Sequence, residues 1–209
     1  MTTAPYDSML YKCTTAHTDL AEGTLMTEDQ LTQLRERLQY LEDRMAIRDC
    51  VMKQARGHDR HDAELMGSVY LEDGVDEHGP VVKLGPDYGE WANDVHSRVF
   101  EDHLHNVTTH TCEINGDEAH AESYVIGAMR AKGGKIVSLM GGRYLDRLER
   151  RDGVWKIALR RCTVEWMMTG DSSVMASGAV KGFIKGKWDR TDPSYVRPLR
   201  LDSEPVDRW

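Results

Sequence analysis

The chain has 209 residues, which fits one large domain or one domain with long termini. With 27 basic and 35 acidic residues its formal net charge is −8, which argues against nucleic acid or an anionic membrane as the main partner. Hydrophobic residues make up 40 % and charged residues 30 %, so wholesale disorder is excluded. No apolar run approaches the ~20 residues of a membrane helix.

The N-terminus, MTTAPYDSML, does not resemble a secretion signal. The four cysteines are widely spaced and form no CxxC pair, which favours reduced thiols over a disulfide framework or a zinc site. We therefore expect a soluble, cytoplasmic protein.

The first predicted element is a long helix that follows an N-terminal arm, residues 1–26. Thr27 and Gln30 have the spacing of a capping box. An apolar stripe at helical spacing, Leu31 to Met45, predicts either core or a subunit seam. The periodicity continues to Ala55 and ends at Gly57.

Two shorter helices are predicted next, one near residues 65–70 and one over 91–100, the latter after a turn at 85–87. Between them, residues 76–79 lie in a short connecting hairpin. Four long strands then follow, joined by glycine-containing turns. The predicted strands are 103–114, 118–131, 135–150 and 154–166.

This order of elements predicts an α+β fold in which a strongly bent antiparallel sheet wraps around the first helix. A ligand pocket is expected between the concave sheet face and the helices. Residues 169–209 form a tail, which we expect to be a flap over the pocket or an arm exchanged with a neighbouring subunit. Acidic residues interrupt its basic ones, so it is not expected to bind nucleic acid.

Nine histidines are concentrated in a few places, including the end of the first helix and the start of the first long strand. A carboxylate that accepts a hydrogen bond from imidazole Nδ1 fixes the tautomer and makes Nε2 a general base near neutral pH. A suitable substrate is a carbon acid with a leaving group on the neighbouring carbon. Loss of that group makes the enzyme a lyase, and return of the proton elsewhere makes it an isomerase.

Metal binding is the alternative use of these histidines. His58 and His61 with Asp62, or His103 with His105, offer two or three ligands, but no further ligand follows at a fixed spacing. We therefore expect no metal and no other cofactor.

Three motifs resemble those of the SnoaL-like, nuclear-transport-factor-two-like superfamily, in a pattern closest to the hexachlorocyclohexane dehydrochlorinase and scytalone dehydratase-type lyases. The resemblance covers about residues 31–168 and implies a domain over 27–168 with a cone-shaped, cystatin-like α+β barrel. It also implies that Asp59 orients His105 as the base and that Arg160 lines the pocket. The motifs are AIRDC at 46–50 with GHDR at 57–60, His105 with CEINGDEA at 112–119, and GRYLDR at 142–147 with ERRDGVWKI at 149–157.

One departure from the family pattern bears on the substrate. Asp76 stands where the dehydrochlorinase pocket has a tryptophan, so we expect a more polar pocket, a hydroxylated or aromatic substrate, and loss of water or formaldehyde rather than halide. Alternate strand residues share a face, so only one of Arg160 and Arg161 points inward, and we expect it to be Arg160. The expected substrate contacts are Tyr144, Asp76, His78 and Trp91.

Three functional alternatives remain at this point. The first is a lyase of aromatic-compound catabolism that uses the Asp–His dyad without a cofactor. The second is an isomerase or cyclase that uses the same proton abstraction. The third is a non-catalytic ligand-binding or assembly domain, a role that this fold also serves. By resemblance alone, we expect a homotrimer.

Overall fold

The computed structural model describes residues 25–201 and 207–209, so most of the predicted arm lies outside the described residues. The prediction of an α+β fold with a long first helix is confirmed. The helices are α1 Glu28–Asp59, α2 Ala63–Ser68 and α3 Gly85–Val99. The strands are β1 Tyr70–His78, β2 Val81–Leu84, β3 Phe100–Asn115, β4 Glu118–Ala131, β5 Ile136–Arg151 and β6 Val154–Asp171.

The described residues form two units, divided between residues 38 and 39. In the first unit, α1 begins with the predicted capping box. The Thr27 amide donates to Gln30 Oε1 at 2.9 Å, and the Gln30 amide donates to Thr27 Oγ1 at 3.2 Å. These two bonds satisfy amides that have no partner within the helix.

The leucine stripe of α1 is not core, which corrects one of the two sequence-based alternatives. Leu41 and Met45 are 56 % and 63 % exposed, and Leu34 and Leu38 are about half exposed. The buried side chains of this half of the helix include Asp43 and Ile47. A shift of two residues rotates a side chain by about 200° around the axis, so the buried face lies opposite the leucines.

The sheet has six strands in the order β2-β1-β6-β5-β4-β3 and is curved and open. It is not wholly antiparallel as predicted, because β1 pairs with β6 in parallel. The predicted hairpin, β1 and β2, adds to the free side of β6 and extends the four-stranded meander. This addition places Asp76 directly beside Arg160 in register.

The core lies between the inner sheet face and the buried side of α1. Ile47 and Cys50 pack with Leu148, Trp155 and Ile157, all of which are buried. The Trp155 indole N–H donates to the Asp43 carboxylate at 2.8 Å, and Arg150 donates to the same carboxylate at 2.9 Å. These bonds fix α1 on the sheet and thereby fix where its C-terminal end lies.

Two element boundaries differ from the predictions. The residues predicted as a turn, Gly85 to Asp87, form the first turn of α3, where proline is well tolerated because its missing N–H is not needed. Gly85 packs against Tyr70 so closely that a Cβ would lie 2.1 Å from the ring. Strand β6 continues to Asp171, past the predicted domain boundary at 168.

A membrane-spanning helix needs about 20 apolar residues. None of the helices in the part of the chain that the structure describes has this length and apolar character.

Candidate active site

The end of α1 meets the start of β3 at a carboxylate–imidazole pair. Asp59, the last residue of α1, lies with its Oδ1 2.7 Å from His105 Nδ1. The backbone N–H of His105 donates to both carboxylate oxygens at 3.0 Å. Both side chains are largely buried, so bulk water does not compete for this bond. The structure therefore brings the two predicted residues together, although 46 positions separate them.

The hydrogen bonds define the tautomer of His105. A carboxylate only accepts hydrogen bonds, so Nδ1 of His105 carries the proton and Nε2 is left free to take one. Burial raises the pKa of Asp59, but hydrogen bonds from His103 and His105 outweigh it and lower that pKa below 3.8. Asp59 therefore stays ionised, and an ionised carboxylate in this position favours a positive charge on the adjacent imidazole.

His103 is a second imidazole partner of Asp59. Its Nδ1 lies 3.4 Å from Asp59 Oδ1, and its Nε2 lies 3.3 Å from His61 Nε2. If His103 donates from Nδ1, then its Nε2 accepts from the N–H of His61. The turn after α1 places His61 in the left-handed region, with φ at 48°, a conformation uncommon outside glycine. A chain of two histidines thus leads from the surface to the dyad carboxylate.

His58 and His96 complete the cluster of imidazoles. The ring centroid of His58 lies 4.5 Å from that of His105 and 4.6 Å from that of His96. Burial, followed by the charges of neighbouring histidines, lowers the pKa of His58 well below 6.5 and that of His96 to about 3. Among the described residues, Nδ1 of His58 and Nδ1 of His96 have no hydrogen-bond partner.

This cluster predicts acid-sensitive stability. In the unfolded chain histidine titrates near 6.5, whereas burial holds the pKa of His96 at about 3 and that of His61 at about 4. Between these values the unfolded state binds more protons, so the free energy of unfolding falls as the pH is lowered from about 6.5 to about 4, by up to about 1.4 kcal/mol per pH unit for each such histidine. Urea unfolding at several pH values measures the slope. His96→Asn is expected to flatten this slope, whereas His120→Asn, at an exposed position, serves as the control. Equal slopes in the unchanged protein and both variants would contradict this prediction.

The C-terminal tail covers this histidine cluster. The Trp188 ring stacks on His61, with centroids 3.9 Å apart and an 18° interplanar angle, and it lies 4.8 Å from His103. The segment is held on the end of α1 and the following turn by polar contacts of the same chain. These contacts are Arg56–Ser194, Arg60–Asp192, Arg60 with the Lys187 carbonyl, Tyr195–Asp62 and Arg190–Asp62.

Removal of the Trp188 ring is expected to raise the pKa of His61. Burial is the largest cause of the low value of about 4, and in Trp188→Ala water reaches the imidazole, so its pKa moves toward 6.5. Titration of the histidine ring signals by NMR measures the shift. Phe183→Ala removes an exposed aromatic ring from the same tail and is the control. An unchanged His61 pKa in Trp188→Ala would show that the ring does not shield it.

The dyad lines a cavity of about 250 Å³ between α1 and β3. Its walls combine apolar side chains with two guanidinium groups. Besides Asp59 and His105, the lining residues are Met52, Ala55, Arg56, Arg60 and Val107. Such a cavity accommodates a small organic molecule with an apolar body and a polar or anionic group.

Strand parity allows only one of Arg160 and Arg161 to point inward, and it is Arg160, as expected from the family resemblance. Arg161 is exposed and bonds to Glu77. Arg160 is fully buried and donates two hydrogen bonds of 2.7 Å to Asp146. Its guanidinium carbon lies 4.2 Å from the centroid of the Tyr144 ring. Arg160 is thus part of a buried ion pair, while its Nη1 has no hydrogen-bond partner among the described residues.

Tyr88 contacts two of the remaining predicted site residues, His78 and Trp91, and also His58 near the end of α1. The Tyr88 hydroxyl lies 3.0 Å from His58 Nε2 and 3.2 Å from His78 Nδ1. Asp76 is fully buried, with Oδ1 3.6 Å from His78 Nδ1. Trp91 is placed differently, on α3 in a cluster of apolar side chains, where its ring packs against Tyr88.

Sequence reasoning missed Tyr88, His96 and Trp188 at this site, and it missed Cys162, whose Sγ lies 3.2 Å from His78 Nδ1. Tyr88, Ala92 and His96 are spaced by four on α3, a pattern that places them on one helix face. Cys162 shares the strand parity of Arg160 and so its face. No local pattern marks Trp188, because only the path of the tail brings it to His61.

Comparison with known proteins identifies the family. The model of the SnoaL-like domain matches residues 39–161, more than half of the chain. The chain therefore belongs to the SnoaL-like domain family, as the motifs predicted. No curated protein sequence gives a significant match.

Solved structures share the fold. Hexachlorocyclohexane dehydrochlorinase LinA-type3 from Novosphingobium barchaimii is 24 % identical with a TM-score of 0.60, covering 64 % of this chain and 94 % of that one. A scytalone dehydratase-like protein from Novosphingobium aromaticivorans is 19 % identical with a TM-score of 0.56, covering 62 % and 89 %. A cystatin-like-fold protein of unknown function from Nostoc punctiforme is 19 % identical with a TM-score of 0.50, covering 59 % and 91 %. The matched part excludes a large share of this chain, consistent with its long termini.

Proposed function

We propose that this protein is a lyase in which His105, oriented by Asp59, removes a proton from a carbon of a small organic substrate. The observation that carries the proposal is the buried 2.7 Å contact between Asp59 Oδ1 and His105 Nδ1. It sets the tautomer that leaves Nε2 free as a base. Both groups that this proton transfer requires belong to the chain, and no cofactor takes part in it.

The proposed reaction is an elimination. His105 Nε2 takes the proton, the electron pair of the broken C–H bond forms a double bond, and the bond to the leaving group on the neighbouring carbon breaks. For water as the product, the departing hydroxyl needs a proton or a hydrogen-bond donor. Arg160, Tyr144, Asp76 and His78 are the polar groups proposed to assist this departure, and Trp91 contributes through its contact with Tyr88.

The polarity of these surroundings supports a hydroxylated or aromatic substrate over a haloalkane. Tyr88 and Tyr144 offer aromatic rings, and the charged side chains near them are buried. A departing hydroxyl is stabilised by such donors and acceptors, whereas halide departure gains less from a carboxylate nearby. Water is therefore the proposed leaving group of this elimination. Formaldehyde, the proposed alternative, leaves by a different step: the base takes the O–H proton of a hydroxymethyl group, the C–C bond to that group breaks as C=O forms, and the electron pair passes to an adjacent carbonyl whose α-carbon is then protonated. The cytoplasmic location and the homotrimer stay predictions.

A deuterium experiment tests the proposed chemistry. The protein is incubated in D₂O with a panel of β-hydroxy carbonyl compounds and aryl diols, followed by NMR and mass spectrometry. A lyase gives a product lighter by water or formaldehyde and incorporates deuterium at the carbon that loses its proton when that step reverses. A compound that binds without exchange or turnover would instead support a ligand-binding domain.

An isomerase or cyclase is the second candidate, because the dyad serves its proton abstraction equally well. The same experiment separates the two functions. An isomerase gives a product of unchanged mass, apart from solvent deuterium at the position that receives the proton. A lyase gives two products whose masses sum to that of the substrate.

A further inference from the structure

A second group of potential ligands lies in the interior, apart from the dyad. Asp76, His78 and Cys162 each offer one ligand atom, and these atoms lie within 4.8 Å of one another. His78 Nδ1 is 3.6 Å from Asp76 Oδ1 and 3.2 Å from Cys162 Sγ. Two residues come from β1 and the third from β6, the strand paired with β1. The site is therefore built on two adjacent strands of the sheet.

We propose that Asp76, His78 and Cys162 bind a divalent metal ion of zinc type. Sulfur, imidazole nitrogen and carboxylate oxygen are the three ligand types that zinc takes in proteins. This inference goes beyond the proton transfer between substrate and His105, which uses none of these three side chains. Asp76 and His78, which the proposed function places near the leaving group, are here assigned to the ion.

The spacing of the ligand atoms fits a tetrahedral ion. With Zn–N and Zn–O near 2.1 Å and Zn–S near 2.3 Å, tetrahedral angles give separations of about 3.4 Å between nitrogen and oxygen and about 3.6 Å between nitrogen and sulfur. The two separations in the structure, 3.6 Å and 3.2 Å, differ from these by a few tenths of an ångström. Side-chain rotations of that size need no backbone movement. The fourth position is left for water or for the Tyr88 hydroxyl, 3.2 Å from His78 Nδ1.

Asp76 provides a second, independent indication of a ligand. It is fully buried, and its Oδ2 accepts a 2.5 Å hydrogen bond from Tyr70. Its Oδ1, the ligand atom, has no hydrogen-bond partner among the described residues. A buried carboxylate oxygen without a partner is costly, and a bound cation removes that cost.

The charges of the interior also fit. Arg160, which lies beside Asp76 in the sheet, is compensated by its two bonds to Asp146. The charges of a divalent ion, the Asp76 carboxylate and the Cys162 thiolate sum to zero. The occupied site therefore adds no net charge beside the ion pair of Arg160 and Asp146. The His78 side chain is 34 % exposed, which gives an ion access from solvent.

The second possible group, His58, His103 and His105, is less suited to a metal. His103 and His105 both direct Nδ1 at Asp59, and His58 Nε2 contacts the Tyr88 hydroxyl. A metal on His105 Nε2 would also remove the free base. Metal binding at Cys162 and metal binding at His58 would therefore be abolished by different substitutions.

Metal binding is measured directly, without a substrate. The full chain, without a histidine tag, is treated with chelator, dialysed and titrated with Zn²⁺ by calorimetry and with Co²⁺ by absorption spectroscopy. We expect one ion per chain and a thiolate-to-cobalt charge-transfer band. Cys162→Ser is expected to abolish the band, and Asp76→Asn and His78→Gln to weaken binding more than about 10-fold.

The matched controls are Cys112→Ser, a free thiol on the same inner sheet face, and His58→Ala, from the other group. Both are expected to keep the band and the affinity. The His78 side chain is partly exposed, so His78→Gln keeps the proposal testable if the substitution of a buried ligand prevents folding. Absence of stoichiometric binding, or binding that His58→Ala abolishes and Cys162→Ser preserves, overturns the proposal. His105→Ala leaves binding intact, so failure of the lyase proposal is recognised separately.

Discussion

Replacement of His105 by alanine is expected to lower kcat/KM by about 10²–10⁴-fold, the usual contribution of a general base. The variant retains Asp59 but has no imidazole to accept the substrate proton. The measurement is steady-state turnover of whichever compound the D₂O experiment identifies. The fold is expected to remain, because His105 lies at the edge of the inner sheet face and its backbone N–H still bonds to Asp59.

The matched control is His120→Ala, on the exposed surface of β4, with its ring near Glu118. Its rate is expected to equal that of the unchanged protein. Deuterium incorporation into substrate, which reports the proton transfer itself, is expected to fall with kcat/KM in His105→Ala. Turnover by His105→Ala at the unchanged rate would exclude His105 from the mechanism.

Replacement of Asp59 by asparagine is expected to reduce the rate by up to about 10⁴-fold through the wrong tautomer. The carboxylate accepts from Nδ1 of His105, whereas the amide of asparagine can donate to that nitrogen and place the proton on Nε2. His105 then has no free base site. The nitrogen-15 chemical shifts of the imidazole report the tautomer directly, so the cause is measured together with the rate.

Asp59→Asn also changes how stability depends on pH. The pKa of Asp59 is lowered in the folded state, so its ionised form contributes stability above the unfolded value of 3.8, and that contribution is lost as the pH falls through the lower folded value. The variant loses this contribution at neutral pH. Asp49→Asn, an exposed carboxylate of the same helix, is the control. A near-unchanged rate with the same His105 tautomer would show that Asp59 has no orienting role.

The extent of α1 and the four long strands follow from local patterns. The capping pair at Thr27 and Gln30 and the glycine-containing turns act over a few residues, and the predicted bounds lie within about five residues of those observed. The apolar stripe illustrates the limit of such patterns. Leu41 and Met45 have perfect helical spacing, yet the core contacts Ile47, because periodicity does not show which side of a helix meets the sheet.

In the site, too, short motifs predicted some residues, whereas contacts between distant segments were not predicted. The family motifs indicated Asp59, His105 and Arg160, and strand parity showed that only one of Arg160 and Arg161 points inward. The ion pair of Arg160 with Asp146 required the register of β5 on β6. The metal ligands were not foreseen, since Cys162 is 84 positions from His78 and no fixed spacing links them.

By itself, the sequence determined the α+β order of elements and the family, and it indicated the Asp59–His105 pair that the structure brings within hydrogen-bonding distance, because capping, periodicity, turns and motifs are encoded over short stretches. Only the tertiary structure decided the parallel pairing of β1 with β6, the packing of Trp188 on His61, and the meeting of Asp76, His78 and Cys162. These contacts join segments distant in the chain. They depend on how the sheet curves and where the tail returns, neither of which has a local signal.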